Sequence, residues 1–294
     1  MQWLRATQGM QTMNIVEMIK EGLRIARTAR TLWLYGFFVG FWATVHYSNK
    51  GHLPGVPANA QVSPPAFPGA TALLAIAVPV LIAAVVFMYF VSEGALIEGV
   101  AKLRQAKSPT VREGWYGGLA HWGVLLRIAI IYFATSVGSL LALSVPILLA
   151  LKLTTTLAVV FGIPIVILAA PWLLTLYMWQ AFAARIAVIE NRGAVDAIGK
   201  ARLFLHGRLM HGVKLIVAAL LGQLIVVLVG AAGLVVAGLF GVAVLKLLGT
   251  AHATVPVLAL GAIVLLPAAF ILVAISGTTQ SSIWTSGYLT QEQQ

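Results

Sequence analysis

Six stretches of this chain are apolar over lengths comparable to the thickness of a membrane. They run at roughly 32–47, 70–92, 122–150, 155–182, 213–248 and 254–285, the first short and the fifth long. A hydrocarbon core of ~30 Å is crossed by about 20 helical residues. Inside it every backbone N–H and C=O needs an internal partner, so the runs are expected to be helices. A β-barrel would require alternating apolar and polar residues. Runs such as "LLALSVPILLALKL" (140–153) and "VVLVGAAGLVVAGLFGVAVL" (226–245) do not alternate. With 60% hydrophobic and 9% charged residues among 294, the composition also lies outside that of soluble globular domains. The expected fold is an all-α integral membrane domain over residues 1–294, with six transmembrane helices in three hairpins.

The cations orient these spans. Of 19 lysines and arginines, Lys50, Lys152 and Lys246 sit in or beside the connections after the first, third and fifth spans. The other 16 lie in the N-terminal segment and in 101–127 and 185–214, and all 8 acidic residues fall on the same side of the spans. Basic loops stay in the cytoplasm. Both termini are therefore expected to be cytoplasmic, in a prokaryotic inner membrane. A net charge of +11 suits an anionic lipid surface and does not require nucleic acid. The first 31 residues carry five cations and no uninterrupted apolar core, so no cleavable signal is expected. With no cysteine, disulfides, thiolate metal sites and cysteine nucleophiles are excluded.

The connections differ by side. Residues 48–69, "SNKGHLPGVPANAQVSPPAFPG", read as an irregular outer loop, while the other two outer connections are tight. On the basic side, Ile15, Ile19, Leu23 and Ala26 fall on one face of 14–30, opposite Glu17, Lys20, Glu21, Arg24 and Arg27. That pattern describes a helix lying in the membrane interface, with Asn14 and Glu17 as a capping-box-like start. The same plan recurs at 109–121 (Pro109 in the first turn; Val111, Trp115, Leu119) and at 194–205 (Val195, Ile198, Ala201, Leu205). Each hairpin is thus expected to follow a cytoplasmic-side interfacial amphipathic helix, giving possible repeat units 14–92, 109–182 and 194–285.

Several segments carry a family likeness: "RTLWLYGFFVGFW", "SEGALIEGVAKLRQAKSPTVREGWYGGL", "ARIAVIENRGAVDAIGKARLFLHGRL" and "SSIWTSGYLTQ". In these the chain resembles uncharacterised prokaryotic multi-pass proteins of the glycerophosphoryl-diester-phosphodiesterase membrane-domain-like type. The resemblance implies a six-helix membrane fold without the phosphodiesterase barrel, whose metal-binding carboxylates and catalytic histidines have no counterpart here.

Chemistry-bearing residues are sparse. His121 and His211 each lead from a basic, glycine-studded stretch into an apolar run. The bland reading is an amphipathic ring at an elbow in the headgroup region; a metal- or pigment-ligand role is the lesser one, since neither has a His, Asp or Glu three or four residues away. Glu93, Glu98 and Glu190 read as rim residues pairing with nearby cations, Glu93 and Glu98 with Lys102 and Glu190 with Arg185. Gln223 reads as an interhelical hydrogen bonder, and Gly233, Ala237 and Gly241 as a small-residue packing ladder. Neither HExxH nor GxSxG occurs.

A non-enzymatic membrane protein is therefore expected, without cofactor beyond bound phospholipid. An accessory or scaffolding subunit of a membrane assembly, or a homo-oligomer, is the leading role. A transporter or lipid-handling protein with a cavity between kinked helices is the alternative. In either case Arg24, Arg27, Arg30, Lys102, Arg104, Lys107, Arg112, Arg127, Arg202, Arg208 and Lys214 are expected to ring the cytoplasmic headgroup plane and contact anionic lipid.

Overall fold

The computed structural model describes residues 14–48, 68–248 and 254–292, and among them it is helical without strands. Eight α-helices follow in order: α1 (Ile15–Thr28), α2 (Trp33–Ser48), α3 (Pro68–Arg104), α4 (Val111–Leu153), α5 (Thr155–Ile189), α6 (Ala194–Leu205), α7 (Leu209–Leu248) and α8 (Thr254–Glu292). Segments of α3, α4, α5 and α7 are each long and apolar enough to cross a membrane. With 16 residues α2 is shorter, and the second half of α8 is rich in Ser and Thr. Most of the expected outer loop (49–67) and the connection 249–253 lie outside the described residues.

Local chemistry sets the helix ends. Chain reversal after α3 uses Ala106 in the left-handed region (φ 59°), with the Lys107 N–H returning to the Lys102 carbonyl. Asn191 (φ 52°) does the same after α5, where the Arg192 N–H reaches the Ala187 carbonyl. Between α4 and α5 a single residue, Thr154, turns the chain, and its hydroxyl accepts from the Leu157 N–H at 3.2 Å.

Three expectations about the amphipathic segments need correction. The second is not a separate helix. Val111 to Leu153 is continuous, so His121 lies inside α4 and no elbow exists there. Its glycines serve approach rather than bending: Gly118 lies against the Val91 carbonyl and Gly117 against the Glu98 carboxylate. The N-cap is Thr110, which accepts from the Glu113 N–H, and Pro109 precedes the helix. Secondly, α1 forms as expected, but its apolar face meets protein: Gly22 sits against Ile283 of α8, and Ile19 and Ala26 are buried. Asn14 occupies the N-cap position without a side-chain bond. Thirdly, α6 buries Ile198, Ala201 and Leu205 but turns Val195 outward, 76% exposed. A true elbow does precede His211, where Gly207 (φ 81°) separates α6 from α7.

Burial is uneven along the helices. At the end carrying most of the cations, α1, α6 and parts of α4, α5, α7 and α8 pack around Phe182, Trp284 and Tyr288, with Phe182–Trp284 centroids 5.6 Å apart and edge-to-face. A second cluster gathers Leu32, Tyr35, Leu96 and Val100, and the Tyr35 hydroxyl donates to the Val111 carbonyl. Toward the opposite end the four long helices are nearly bare: only 6–33% of the most apolar stretch of each is buried. α2 runs along α8 in backbone contact, Gly36 against Ala274 and Thr278, Gly40 against Val273, and Gly277 against Gly36. α2 thus lies against the last helix as well as its sequence neighbour α3.

Candidate functional site: a buried ion pair beneath a basic rim

In "FMYFVSEGALIE" (87–98) and "AFAARIAVIE" (181–190) a charged residue interrupts an apolar run. Helical packing brings the two together. Arg185 of α5 is 5% exposed, and its Nη1 stands 3.8 Å from Glu93 Oε1 of α3. The same nitrogen donates to the Ala181 carbonyl at 2.8 Å. Tyr89, one turn before Glu93, hydrogen-bonds its carboxylate. Trp284 of α8 lies 5.9 Å from the guanidinium carbon, and the Tyr177 ring stands edge-to-face on Trp284 at 5.8 Å. Charge, counter-charge and aromatic faces therefore converge where α3, α5 and α8 meet.

Polar capacity remains in and around this cluster. Arg185 Nε, Ser92 Oγ and Trp284 Nε1 have no hydrogen-bond partner among the described residues. Along α8, Thr278, Thr279, Ser281, Ser282, Thr285, Ser286 and Thr290 are all buried, and five of those hydroxyls have no partner among the described residues. Most buried polar atoms in proteins are hydrogen-bonded, so such a concentration marks a place that can hold water or a polar ligand. A guanidinium with a free Nε can take a second acceptor, and a carboxylate between a phenol and a guanidinium can exchange a proton.

The pairing differs from the sequence expectation. Glu93 was assigned to Lys102 and Arg185 to Glu190, yet they pair with each other. Lys102 pairs with Glu98 at 2.9 Å and Glu113 at 3.5 Å. Glu190 instead anchors a surface network, accepting from Arg192 Nε at 2.7 Å, Lys200 Nζ at 2.5 Å and the Tyr288 hydroxyl at 2.5 Å. Partial burial by itself pushes the Glu190 carboxyl up, but the bonds from Lys200, Tyr288 and Arg192 outweigh it and hold the group below its ordinary value. The network ties the α5–α6 connection to the end of α8.

The cations expected in the rim gather at this same end in varied settings. Arg24 pairs with Glu21 at 2.9 Å on exposed α1, where Arg27 is exposed, as is Arg30 just beyond. Arg104 is half-buried with its Nε unpartnered among the described residues. Arg112 lies 5.7 Å from the Tyr116 ring, Arg202 5.1 Å from Trp179 and Arg208 5.4 Å from Phe204. Lys107, Arg127 and Lys214 are exposed. His121 Nδ1 bonds the Gly117 carbonyl of its own helix, and His211 bonds the backbone at Gly287. Among the described residues no group of three His, Asp or Glu could hold a metal ion.

Among the described residues, the glycines expected to pack on α7 meet no partner helix. A Cβ added at Gly233 or Gly241 would meet nothing within 4 Å among the described residues. Gln223 is half-buried, and among the described residues its side chain makes no interhelical hydrogen bond. The close approach occurs at Gly36, Gly40 and Gly277 instead. "YGFFVG" (35–40) carries a glycine pair at the four-residue spacing that could have signalled it. Comparison with known proteins finds no match: no family model, no curated protein and no solved structure is similar to the chain.

Proposed function

We propose that the chain is a non-enzymatic, six-span inner-membrane protein that serves as an accessory or scaffolding subunit, with its basic end and both termini in the cytoplasm. The observation that carries this reading is the unequal burial of the long helices. Their basic ends are packed by α1, α6 and α8, whereas the apolar halves of α3, α4, α5 and α7 offer side chains such as Leu168 (67% exposed) to their surroundings. Exposed apolar surface on this scale requires lipid or another membrane protein against it. The small-residue face of Gly233, Ala237 and Gly241 fits close approach by a partner helix. The rim of Arg24, Arg27, Arg30, Lys102, Arg104, Arg112, Arg127, Arg202, Arg208 and Lys214 meets anionic headgroups at ~1 kcal/mol per cation near the surface. From the family resemblance this proposal takes only the six-helix membrane fold.

A second reading rests on the buried Arg185–Glu93 pair. Charged side chains inside membrane-spanning helices mark substrate or proton pathways in transporters, and this pair would centre such a pathway.

Topology and role are separable by experiment. The chain has no cysteine, so single cysteines at Ser48 and Ser108 report cleanly with an impermeant thiol reagent. Position 48 labels in intact cells and position 108 only after permeabilisation; the reverse pattern overturns the orientation. Purification from native membrane in mild detergent then yields a stoichiometric membrane partner. A homogeneous protein without a partner, whose reconstituted vesicles move solute only while Arg185 and Glu93 are intact, selects the transporter.

A further inference from the structure

Beside Arg127 the surface of α4 and the start of α6 border an open cavity of about 360 Å³. Arg127, Ile130 and Ile131 line it from α4, and Gly193, Val195 and Asp196 from the α5–α6 connection and the first turn of α6. Its volume lies toward the small end of ligand pockets, ~300–1,000 Å³. We infer that this cavity is a headgroup site for an aminophospholipid, with the phosphate on Arg127 and the primary ammonium on Asp196.

Three features of the cavity converge on that ligand. First, it holds one cation and one anion, both exposed, and neither forms an ion pair with the other or with a further residue among the described ones. A zwitterion satisfies both at once: guanidinium grips phosphate through parallel hydrogen bonds, and a primary ammonium offers three donors to a carboxylate. Second, the wall is apolar on the side leading away from the basic end. Ile130 is 56% exposed, and beyond it Phe133 and Leu140 continue the bare apolar surface along α4. An acyl chain fits along that surface. Third, Val195 stands at the lip with its side chain outward, where glycerol and the first methylenes would pass.

Asp196 decides the headgroup. An anionic lipid without an amine would bring its phosphate to Arg127 while leaving the carboxylate facing a like charge, which disfavours it. A quaternary ammonium has no N–H to donate. The site therefore differs from the remainder of the rim, where cations predominate. Asp196 also lies in the first turn of α6, where a carboxylate interacts favourably with the helix dipole. That role would make its loss matter equally in every lipid.

This inference rests on the proposal that the chain spans a membrane with its basic end at the headgroups. The test uses the full-length protein in nanodiscs of phosphatidylethanolamine, phosphatidylcholine or phosphatidylglycerol, with competition among the three for retention during purification in detergent. Wild type retains phosphatidylethanolamine over either competitor by about three- to fivefold, as expected of a partly exposed ion pair. Asp196→Asn abolishes that preference and raises phosphatidylglycerol retention; Arg127→Gln lowers retention of all three. Glu17→Gln, an exposed carboxylate on α1 outside the cavity and the rim, leaves the ratio unchanged. Equal retention of the three lipids by wild type overturns the site, as does a ratio untouched by Asp196→Asn. If no phospholipid is retained and the cysteine labelling also fails, the membrane reading itself falls; retention without headgroup discrimination removes this site alone.

Discussion

Replacing Gly277 with alanine adds one methyl group at one of the tightest backbone-to-backbone helix contacts among the described residues. The new Cβ would overlap the Gly36 carbonyl oxygen and stand 2.8 Å from the Gly40 amide nitrogen and 3.0 Å from the Gly36 carbonyl carbon. Ordinary contacts of carbon lie near ~3.5–4.0 Å, so α2 and α8 must separate by roughly 1 Å. Neither obstacle is the flexible end of a side chain. The separation also loosens Gly36 from Ala274 and Gly40 from Val273, which lie on the same seam. Overpacking of this kind costs about 1–3 kcal/mol, and the higher helix propensity of alanine returns up to ~1 kcal/mol. A net loss of about 1–2 kcal/mol is expected, read as a fall of roughly 2–6 °C in apparent Tm. Gly233→Ala is the matched control: with nothing within 4 Å among the described residues, it keeps the propensity gain and meets no clash. Temperature-dependent size-exclusion chromatography of both variants in one detergent measures the difference. A Gly277→Ala protein as stable as wild type, beside a destabilised Gly233→Ala, would refute the assignment of the close seam to α2 and α8.

Two further outcomes follow from the charged groups. Glu93→Leu strands the buried Arg185 guanidinium and Arg185→Met leaves the half-buried Glu93 carboxylate unpaired, each expected to cost about 3–5 kcal/mol, whereas the double variant Glu93→Leu with Arg185→Met costs much less than the sum of the single changes. A double-mutant cycle in detergent checks this, and additive losses would show that the pair is not coupled. Glu190→Gln weakens charge-assisted bonds and is expected to cost about 1.5–3 kcal/mol at neutral pH. Because the folded carboxyl of Glu190 lies below its ordinary value, its contribution is complete above the unfolded pKa of ~4.3 and is lost as pH falls through the lower folded value. Wild type and variant should therefore begin to converge in stability as pH falls below ~4.3; a gap that stays constant from pH 7 to pH 3 would disprove the role of the charge.

Much of the architecture was legible because local chemistry dictates it. A chain that is 60% hydrophobic, in runs without alternation, has helices as its only economical way to satisfy its backbone in an apolar medium, and helices cover the apolar runs at 155–182 and 213–248, extending past the first to Ile189 and starting before the second at Leu209. The basic-side helices at 15–28 and 194–205 were legible from three- and four-residue spacing. What periodicity cannot reveal is what covers a face. The apolar stripe of α1 reads the same against lipid or protein, and the structure places it on α8 because Gly22 leaves room for Ile283. The glycines at 117 and 118 read as an elbow, yet the helix runs through them because the hydrogen-bond ladder survives and the missing Cβ atoms admit α3. Pairing of Glu93 with Arg185, 92 positions apart, lay beyond any local spacing rule; charges inside apolar runs need partners, but only the packing of α3 on α5 chose which. Sequence alone thus determined that the chain is helical, apolar and basic at one end, since those properties belong to single segments. Tertiary structure decided which small residues touch and which charges meet, because both depend on the rotation of one helix about its axis relative to another.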